Sequence, residues 1–372
     1  MPFLQVDLVE GDGGVSGAEI RNDSNFQVLS RLFGARRLHL RRSRGPRGRH
    51  APTVAFLDQD DLARLPATIE ACNPRFVLFE GVALLTAMRE VREAFPRLPI
   101  IVDFHNVENR LYRDMYSARH PRLARPLAHL LFANRFRQAQ EADREAARIA
   151  DAVWTCSPQD ADSVREAGMA RSVHMIPNPI PAWCRTVAAE AGPRPGRTVL
   201  FVGHLGYAPN RRAVDELALS IIPDLRVRFP DAALHACGRA PREKLARSLV
   251  AHGHRLTANP PDLLPIYRDA AVAALPLREG GGTRIKVLEA LAVGCPVVAT
   301  AKAVEGLAIE HGRHYLRAET ADEFVAALSR LFEDRDLAGR LATEGRRFVQ
   351  RIHGDAARTD AIGTALADMG IA

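Results

Sequence analysis

The chemistry of this chain concentrates in residues 276–300, PLREGGGTRIKVLEALAVGCPVVAT. An apolar strand is predicted to end at Leu277, three glycines follow, and a helix is predicted to begin near Thr283. Glycines let a backbone approach a ligand closely, and the first turn of a helix offers unpaired N–H groups and a partial positive charge, which together suit a phosphate. Arg284 and Lys286 fall in that turn, where cations oppose the helix macrodipole unless an anion offsets them, so they are expected to contact a diphosphate. Glu289, on the same helix, can accept hydrogen bonds from two adjacent hydroxyls such as a ribose diol. Taken alone, the turn also fits an ordinary helix capped by Thr283, with Arg284 and Lys286 solvated and Glu289 in a surface pair.

A second polar edge follows the apolar run PIIVDFH (99–105), where His105 opens the stretch HNVEN at the carboxyl end of a predicted strand. Doubly wound sheets bind ligands at that edge. His105 is expected to act as a hydrogen-bonding or orienting group, with Asn106 a weaker partner; a satisfied structural histidine is the alternative.

The strand, Gly-rich turn, LEA and GCPVVAT together resemble the donor-binding signature of the family-four retaining glycosyltransferases. The resemblance implies a GT-B fold, two doubly wound Rossmann-like domains facing across a cleft, and transfer from a nucleotide-diphosphate-sugar to an acceptor hydroxyl with retention, without a cofactor or catalytic metal. It gives Glu289 the donor ribose. A second glutamate, which in the family contacts the sugar, falls here on Gly281; Glu279 or the amides of Gly281 and Gly282, next to Thr283, are expected to stand in for it. The family's basic group after the first donor-domain strand falls within FVGHLGYAPNRRAVDEL (201–217), where Gly203 is followed by His204 and the diphosphate charge passes to Arg284 and Lys286. Asn210 is expected to cap a helix there, with Arg211 and Arg212 solvated at its start or, as weaker candidates, sharing the diphosphate charge. In GGVSGAEIR (13–21), Gly14, Gly17 and Arg21 are expected to face the diphosphate. Ser157 and Asn178 resemble structural turn residues of the family.

The elements that must position these groups alternate along the chain. Strands are predicted at 3–9, 75–81, 99–105 and 151–157, with helices at about 19–33, 83–95 and 126–150, a rhythm that argues a parallel sheet. The stretch AAEAGPRPGR (188–197) reads as a linker, and the rhythm restarts with strands at 198–203, 233–238, 271–277 and 295–300. The expected division is an acceptor-side domain over 1–187, a donor domain over 188–350, and a terminal helix over 351–372 that returns to the first domain. The loop 256–261 is expected to lie against the nucleotide base.

Composition narrows the partners. With 372 residues, 47% hydrophobic and 26% charged, the chain suits two α/β domains and no fibrous or disulfide-built class. Five scattered cysteines without a CxxC pair fit a reducing cytoplasm and argue against zinc. A formal charge of +7 admits anionic small molecules, acidic membranes or nucleic acid. Nucleic acid is the disfavoured partner, because the basic runs 36–49 and 118–137 fit solvated faces. In the second run, Leu123, Leu127, Leu130, Leu131 and Phe132 stand among arginines, which suits docking on an anionic membrane from the cytoplasmic side. The acceptor class stays open between a glycan, a lipid-linked sugar and a small metabolite. An epimerase-like enzyme on the same fold is the alternative activity. The DQD at 58–60 mimics a metal motif, but Asp60 or Asp61 is expected to cap the helix that begins DLARL.

Overall fold

The computed structural model describes residues 2–9, 16–43, 53–119, 125–185, 196–280 and 284–371. It forms two compact units, the first built on Met1–Pro179 and Asp355–Ala372, the second on Ile180–Glu279 and Thr283–Gly354.

The first unit holds a six-stranded sheet of β1 (Pro2–Val9), β2 (Gly34–Arg41), β3 (Val77–Glu80), β4 (Ile100–Phe104), β5 (Ala152–Thr155) and β6 (Val173–Met175), in the order β2-β1-β3-β4-β5-β6. Every strand pair is parallel. Alternate residues of a strand face opposite sides. Leu4, Val6, Val77, Phe79, Ile100 and Val102 therefore join one core with Leu62, Leu65, Met88 and Ala146, contributed by the helices Gln59–Cys72, Leu85–Ala94 and Ala133–Ile149. Phe3, Phe76, Leu78, Ile101 and Trp154 join the other, against Val28 and Leu29 of the helix Gly17–Leu32 and Ile362 and Leu366 of the helix Asp355–Asp368. Both faces are covered by helices, and the strands accordingly read as apolar runs.

The second unit repeats the design with β7 (Thr198–Val202), β8 (Ala233–Gly238), β9 (Arg255–Ala258), β10 (Val272–Leu275), β11 (Val297–Ala299) and β12 (Leu316–Arg317), all parallel, in the order β12-β11-β10-β7-β8-β9. In such sheets ligands bind outside the carboxyl ends of the strands at the point where the strand order reverses. That point lies between β1 and β3 in the first unit and between β7 and β10 in the second. His105 follows β4, while Gly203 and Glu279 follow β7 and β10.

Several expectations need correction. The units divide at Pro179 and Ile180 rather than after residue 187, because Ile180 and Cys184 are already buried in the second core. The second unit extends to Gly354 because the helix Arg335–His353 is continuous and buries Leu341 and Val349 in that core. The helix Gln59–Cys72 is capped by Asp58, whose side chain accepts from the Asp61 amide; Asp61 is instead paired with Arg41. The helix Ala208–Glu216 has Tyr207 at its N-cap, so Asn210 lies inside it and its side chain is used elsewhere. The basic run 36–49 hides β2, an edge strand in which Arg36 and Arg37 fall on opposite faces and Arg37, half-buried, pairs with Asp7 and Asp23.

Within the first unit the terminal helix is held by a charge as well as by apolar contact. Arg358, fully buried, donates to Ser24 Oγ (3.1 Å), Asn25 Oδ1 (2.6 Å) and the Pro177 carbonyl. Replacing it by alanine leaves buried acceptors without a donor. Arg358→Ala is expected to cost about 3 kcal/mol and to expose the helix Asp355–Asp368 first, measured by urea unfolding and hydrogen exchange.

Candidate functional site

In the second unit the chain after β10 leads to the helix Ile285–Ala292, which starts slightly later than the sequence predicts, with Arg284 at its N-cap. Gly281, Gly282 and Thr283 lie outside the described residues, as does Gly14 in the first unit. Arg284 donates to the Glu279 carbonyl (3.2 Å). Lys286, in the first turn proper, crosses back to β7. Its Nζ donates to Asn210 Oδ1 (2.7 Å) and lies 4.7 Å from the centre of the Phe201 ring. A Cβ built on Gly203 would stand 2.7 Å from that nitrogen, so the bare glycine leaves the space that the ammonium takes. The Lys286 stem keeps partial exposure, but burial at the ammonium end pushes its pKa down to about 7, with Arg284 adding to the effect and Glu289 opposing it. A cation held at this cost is poised for an anion.

Glu289 faces away from bulk water, 7% exposed, and its Oε2 accepts from the Tyr267 hydroxyl (3.2 Å). Burial raises its carboxyl to about 7, while the tyrosine hydrogen bond and Lys286 pull it back. Trp183 stacks on Tyr267 with ring centres 5.7 Å apart, fixing the ring that holds the carboxylate. Glu279 is buried and ion-paired with Arg212. The expectation that Arg212 is solvated is therefore corrected: it compensates Glu279. Arg211 donates to the Gly206 carbonyl, and exposed His204 has its ring over Gly206 while its carbonyl accepts from Asn210 Nδ2 (2.9 Å).

The first unit gathers a different set. Glu80 ends β3 and pairs in register with Asp103 of β4, two residues before His105. Arg21 lies across them. Its Nε and Nη2 grip both Asp103 oxygens (2.7 and 2.8 Å), and Nη1 donates to the Ile176 carbonyl (2.7 Å) and Asn178 Oδ1 (2.9 Å). With 1% exposure and four of its five N–H groups bonded inside the first unit, Arg21 is held as a buried structural group. Its expected donor contact is replaced by a structural role, which also accounts for Asn178. Gly17 is the exposed first residue of the helix Gly17–Leu32, behind a capping box formed by Ser16 and Glu19. Ser157 caps the helix Pro158–Glu166 and donates to Asp160 (2.7 Å).

His105 Nε2 lies 3.3 Å from Glu80 Oε2. Glu80, Asp103 and His105 are the group among the described residues whose ligand-type atoms all fall within 4.8 Å of one another. The donor set does not fit a metal ion as arranged: Arg21 occupies both Asp103 oxygens, and Asn25 Nδ2 donates to Asp103 (2.7 Å) and Glu80 (3.1 Å). A guanidinium in contact with the carboxylate supplies the positive charge that a cation would bring.

Sequence reasoning passed over Glu80, Asp103, Asn25 and Tyr267. The signal available for the first two was an acidic residue at the end of an otherwise apolar strand, a position that normally carries a reason.

Residues 196–334 match the family described as glycosyl transferases group 1. No match was found among curated proteins. Among solved structures, sucrose-phosphate synthase from Thermosynechococcus elongatus superposes with a TM-score of 0.70 at 17% identity, covering 100% of this chain and 99% of that one. Anabaena HepE in complex with UDP-glucose superposes at 0.67 and 14% identity, covering 98% and 99%. S. aureus TarM, in a complex that includes UDP, gives 0.63 at 12% identity over 82% of this chain; the match spans only 58% of TarM. At these identities the structures show a shared GT-B architecture.

The reassignment of Arg21 is checked by its alanine variant. Arg21→Ala strands Asp103 in the core and is expected to cost about 3–5 kcal/mol in urea unfolding. Binding of a nucleotide to the folded variant should stay within about twofold of the original.

Proposed function

We propose that this chain, a GT-B glycosyltransferase whose residues 196–334 form a group 1 glycosyl-transferase domain, moves a sugar from a nucleoside-diphosphate-sugar to an acceptor hydroxyl, retaining anomeric configuration and using neither cofactor nor catalytic metal. The observation that carries this reading is Lys286, whose ammonium is seated between Gly203, Phe201 and Asn210 beside the start of a helix. The complex of HepE with UDP-glucose supports the donor class.

In this reading Lys286, Arg284 and the amides at the helix start bind the diphosphate. They stabilise the charge that grows on it as the bond to the anomeric carbon breaks. The acceptor oxygen bonds to that carbon from the face the diphosphate leaves, and the acceptor proton passes to the departing phosphate oxygen. Glu289, held by Tyr267 through one oxygen, takes the ribose diol with its remaining acceptor capacity. Glu279 approaches the sugar with Arg212 as its counter-ion. His105, in the first unit, serves as a hydrogen-bonding or orienting group for a substrate hydroxyl. Positive side chains and helix amides do here what a divalent cation does in other phosphate chemistry.

A peripheral place at an anionic, cytoplasm-facing membrane belongs to the same reading. Among the described residues no helix is long and apolar enough to cross a bilayer. The short helix Arg125–Leu131 leaves Leu127, Leu130 and Leu131 exposed at 60%, 73% and 69%. Three leucines on one short helix suit interfacial insertion.

Two outcomes are expected. UDP-glucose keeps its diphosphate charge across neutral pH, so its affinity should follow the protein groups. Lys286, depressed to about 7, must take up a proton to bind above that pH, and affinity falls by up to about tenfold per pH unit on the alkaline side. Glu289, raised to about 7, must lose one below it, which gives an acid limb. Calorimetry should trace a maximum near neutrality; Lys286→Gln should flatten the alkaline limb and lower turnover by about two orders of magnitude, Glu289→Gln should flatten the acid limb, and EDTA should leave turnover unchanged. Flat profiles in the original chain would remove both residues from the site. Separately, the protein should sediment with anionic vesicles at low salt and be released by about 0.5 M salt. Leu130→Glu with Leu131→Glu should abolish that association, and equal binding to neutral vesicles would contradict it.

A further inference from the structure

We infer that Glu80 is the positioning residue of His105: its carboxylate takes the imidazole Nε2–H and thereby fixes the ring's angle and tautomer, with the Nδ1 edge beside Gly81. The inference rests on the reading of the site as a sugar-transfer centre and adds a residue to it.

The argument begins at the sheet edge. Glu80 and Asp103 are register partners on adjacent parallel strands, so their side chains emerge at the same level of the carboxyl edge. Glu80 has no exposed side-chain surface, whereas His105 keeps 20% of its own. A buried carboxylate this close to a partly open imidazole is arranged to act on the ring and not on solvent. The 3.3 Å contact uses Nε2. The other edge of the ring lies over Gly81, where a Cβ would come within 3.7 Å of Nδ1 and 3.8 Å of Cε1. Gly81 has φ +106°, a conformation that side-chain-bearing residues avoid, so the strand end stays bare beside Nδ1.

The carboxylate is itself fixed. Asn25 Nδ2 donates to Glu80 Oε1 (3.1 Å) and to Asp103 Oδ2 (2.7 Å), while Asn25 Oδ1 accepts from Arg358 (2.6 Å). A guanidinium cannot accept, so the amide oxygen must face Arg358 and the amide nitrogen must face the two acids. The order of support runs from Arg358 through Asn25 to Glu80 and then to His105. No residue of that chain other than His105 has exposed surface to offer a substrate. Orientation of a functional imidazole by a carboxylate on its second nitrogen sets both ring angle and tautomer.

The charges facing the ring agree with this geometry. Glu80 comes from β3, Asp103 from the histidine's own strand, Arg21 from the helix Gly17–Leu32 and Glu108 from the helix Glu108–Arg119, while Cys156 Sγ donates to the His105 carbonyl (3.3 Å). Burial opposes a charge on His105, but the Glu80 hydrogen bond and the Asp103 charge outweigh it and raise the imidazole above its ordinary range. Burial in turn lifts Glu80 to about 7, against the pull of His105. The couple shares protons across neutral pH, and its Nδ1 edge is a hydrogen-bond donor while the ring is protonated.

The test uses the full chain labelled with 15N-histidine. In the original protein, the His105 ring should titrate above the ordinary histidine value of about 6.5, with Nε2 carrying the proton of the neutral form. Glu80→Gln, nearly isosteric, should lower the imidazole's proton affinity at least tenfold. UDP release from UDP-glucose should then show kcat reduced at least tenfold, KM within about twofold, and the limb of its pH profile displaced with the imidazole. An ordinary titration of His105 in the original protein, or the same titration in Glu80→Gln, overturns the inference. The first comparison needs no variant, so a Glu80→Gln chain that fails to fold leaves the test decisive. The titration needs no turnover either: a chain that releases no UDP would sink the transfer reading, while the ring still reports on Glu80.

Discussion

A guanidinium and a carboxylate, both removed from water, set the architecture of the first unit. Arg21 reaches across the carboxyl edge of the sheet and closes on Asp103 with two parallel bonds, while its Nη1 donates to Ile176 and Asn178. Such a pair adds little stability compared with an apolar filling, but removing either partner strands a buried charge. Its value is in what it specifies. It ties the helix Gly17–Leu32 to β4 and to the turn after β6, and it fixes the edge at which Glu80 and His105 emerge.

The second unit meets the same problem with a different residue. A parallel sheet buried on both faces must put its polar chemistry at the strand ends, where backbone groups run out of partners. Here the end of β7 is stripped to Gly203, and the space is taken by Lys286 from the helix after β10. Its ammonium sits over Phe201 and against Asn210, where burial pushes its pKa down to about 7. Glu289 lies one turn further along the helix, and Tyr267 and Trp183 hold its carboxyl from behind. An incoming diphosphate would supply the counter-charge this arrangement lacks.

Local pattern explains which parts were readable from the sequence. The apolar runs, their spacing and the Gly-rich turn before LEA depend on neighbours within a few residues, so the four inner strands of each sheet, the helix carrying Lys286 and Glu289, and the edge position of His105 were legible, while the outer strands β2, β6, β9 and β12 were not. Burial and cross-strand pairing were not. Arg21 looks like any arginine beside a Gly-rich loop until Asp103, 82 residues away, is placed against it. Glu80 and His105 are 25 residues apart and meet only through strand register. Tyr267 is separated from Glu289 by 22 residues. The edge strand β2 was obscured because Arg36, Arg37 and Arg41 break its apolar alternation, and the pairing of Arg37 with Asp7 arises only once β1 lies beside it. Asp58 rather than Asp60 or Asp61 caps its helix because the cap position depends on where the chain enters, and Arg41 had already claimed Asp61.

The central claim is that the second unit binds the diphosphate and ribose of a sugar donor through one helix. The most direct measurement is a crystal structure of the chain with UDP-glucose. It should show a diphosphate oxygen within hydrogen-bonding distance of Lys286 Nζ and the ribose hydroxyls on Glu289. A nucleotide bound elsewhere, or one at this edge that leaves Lys286 on Asn210 and Glu289 untouched, would contradict the account.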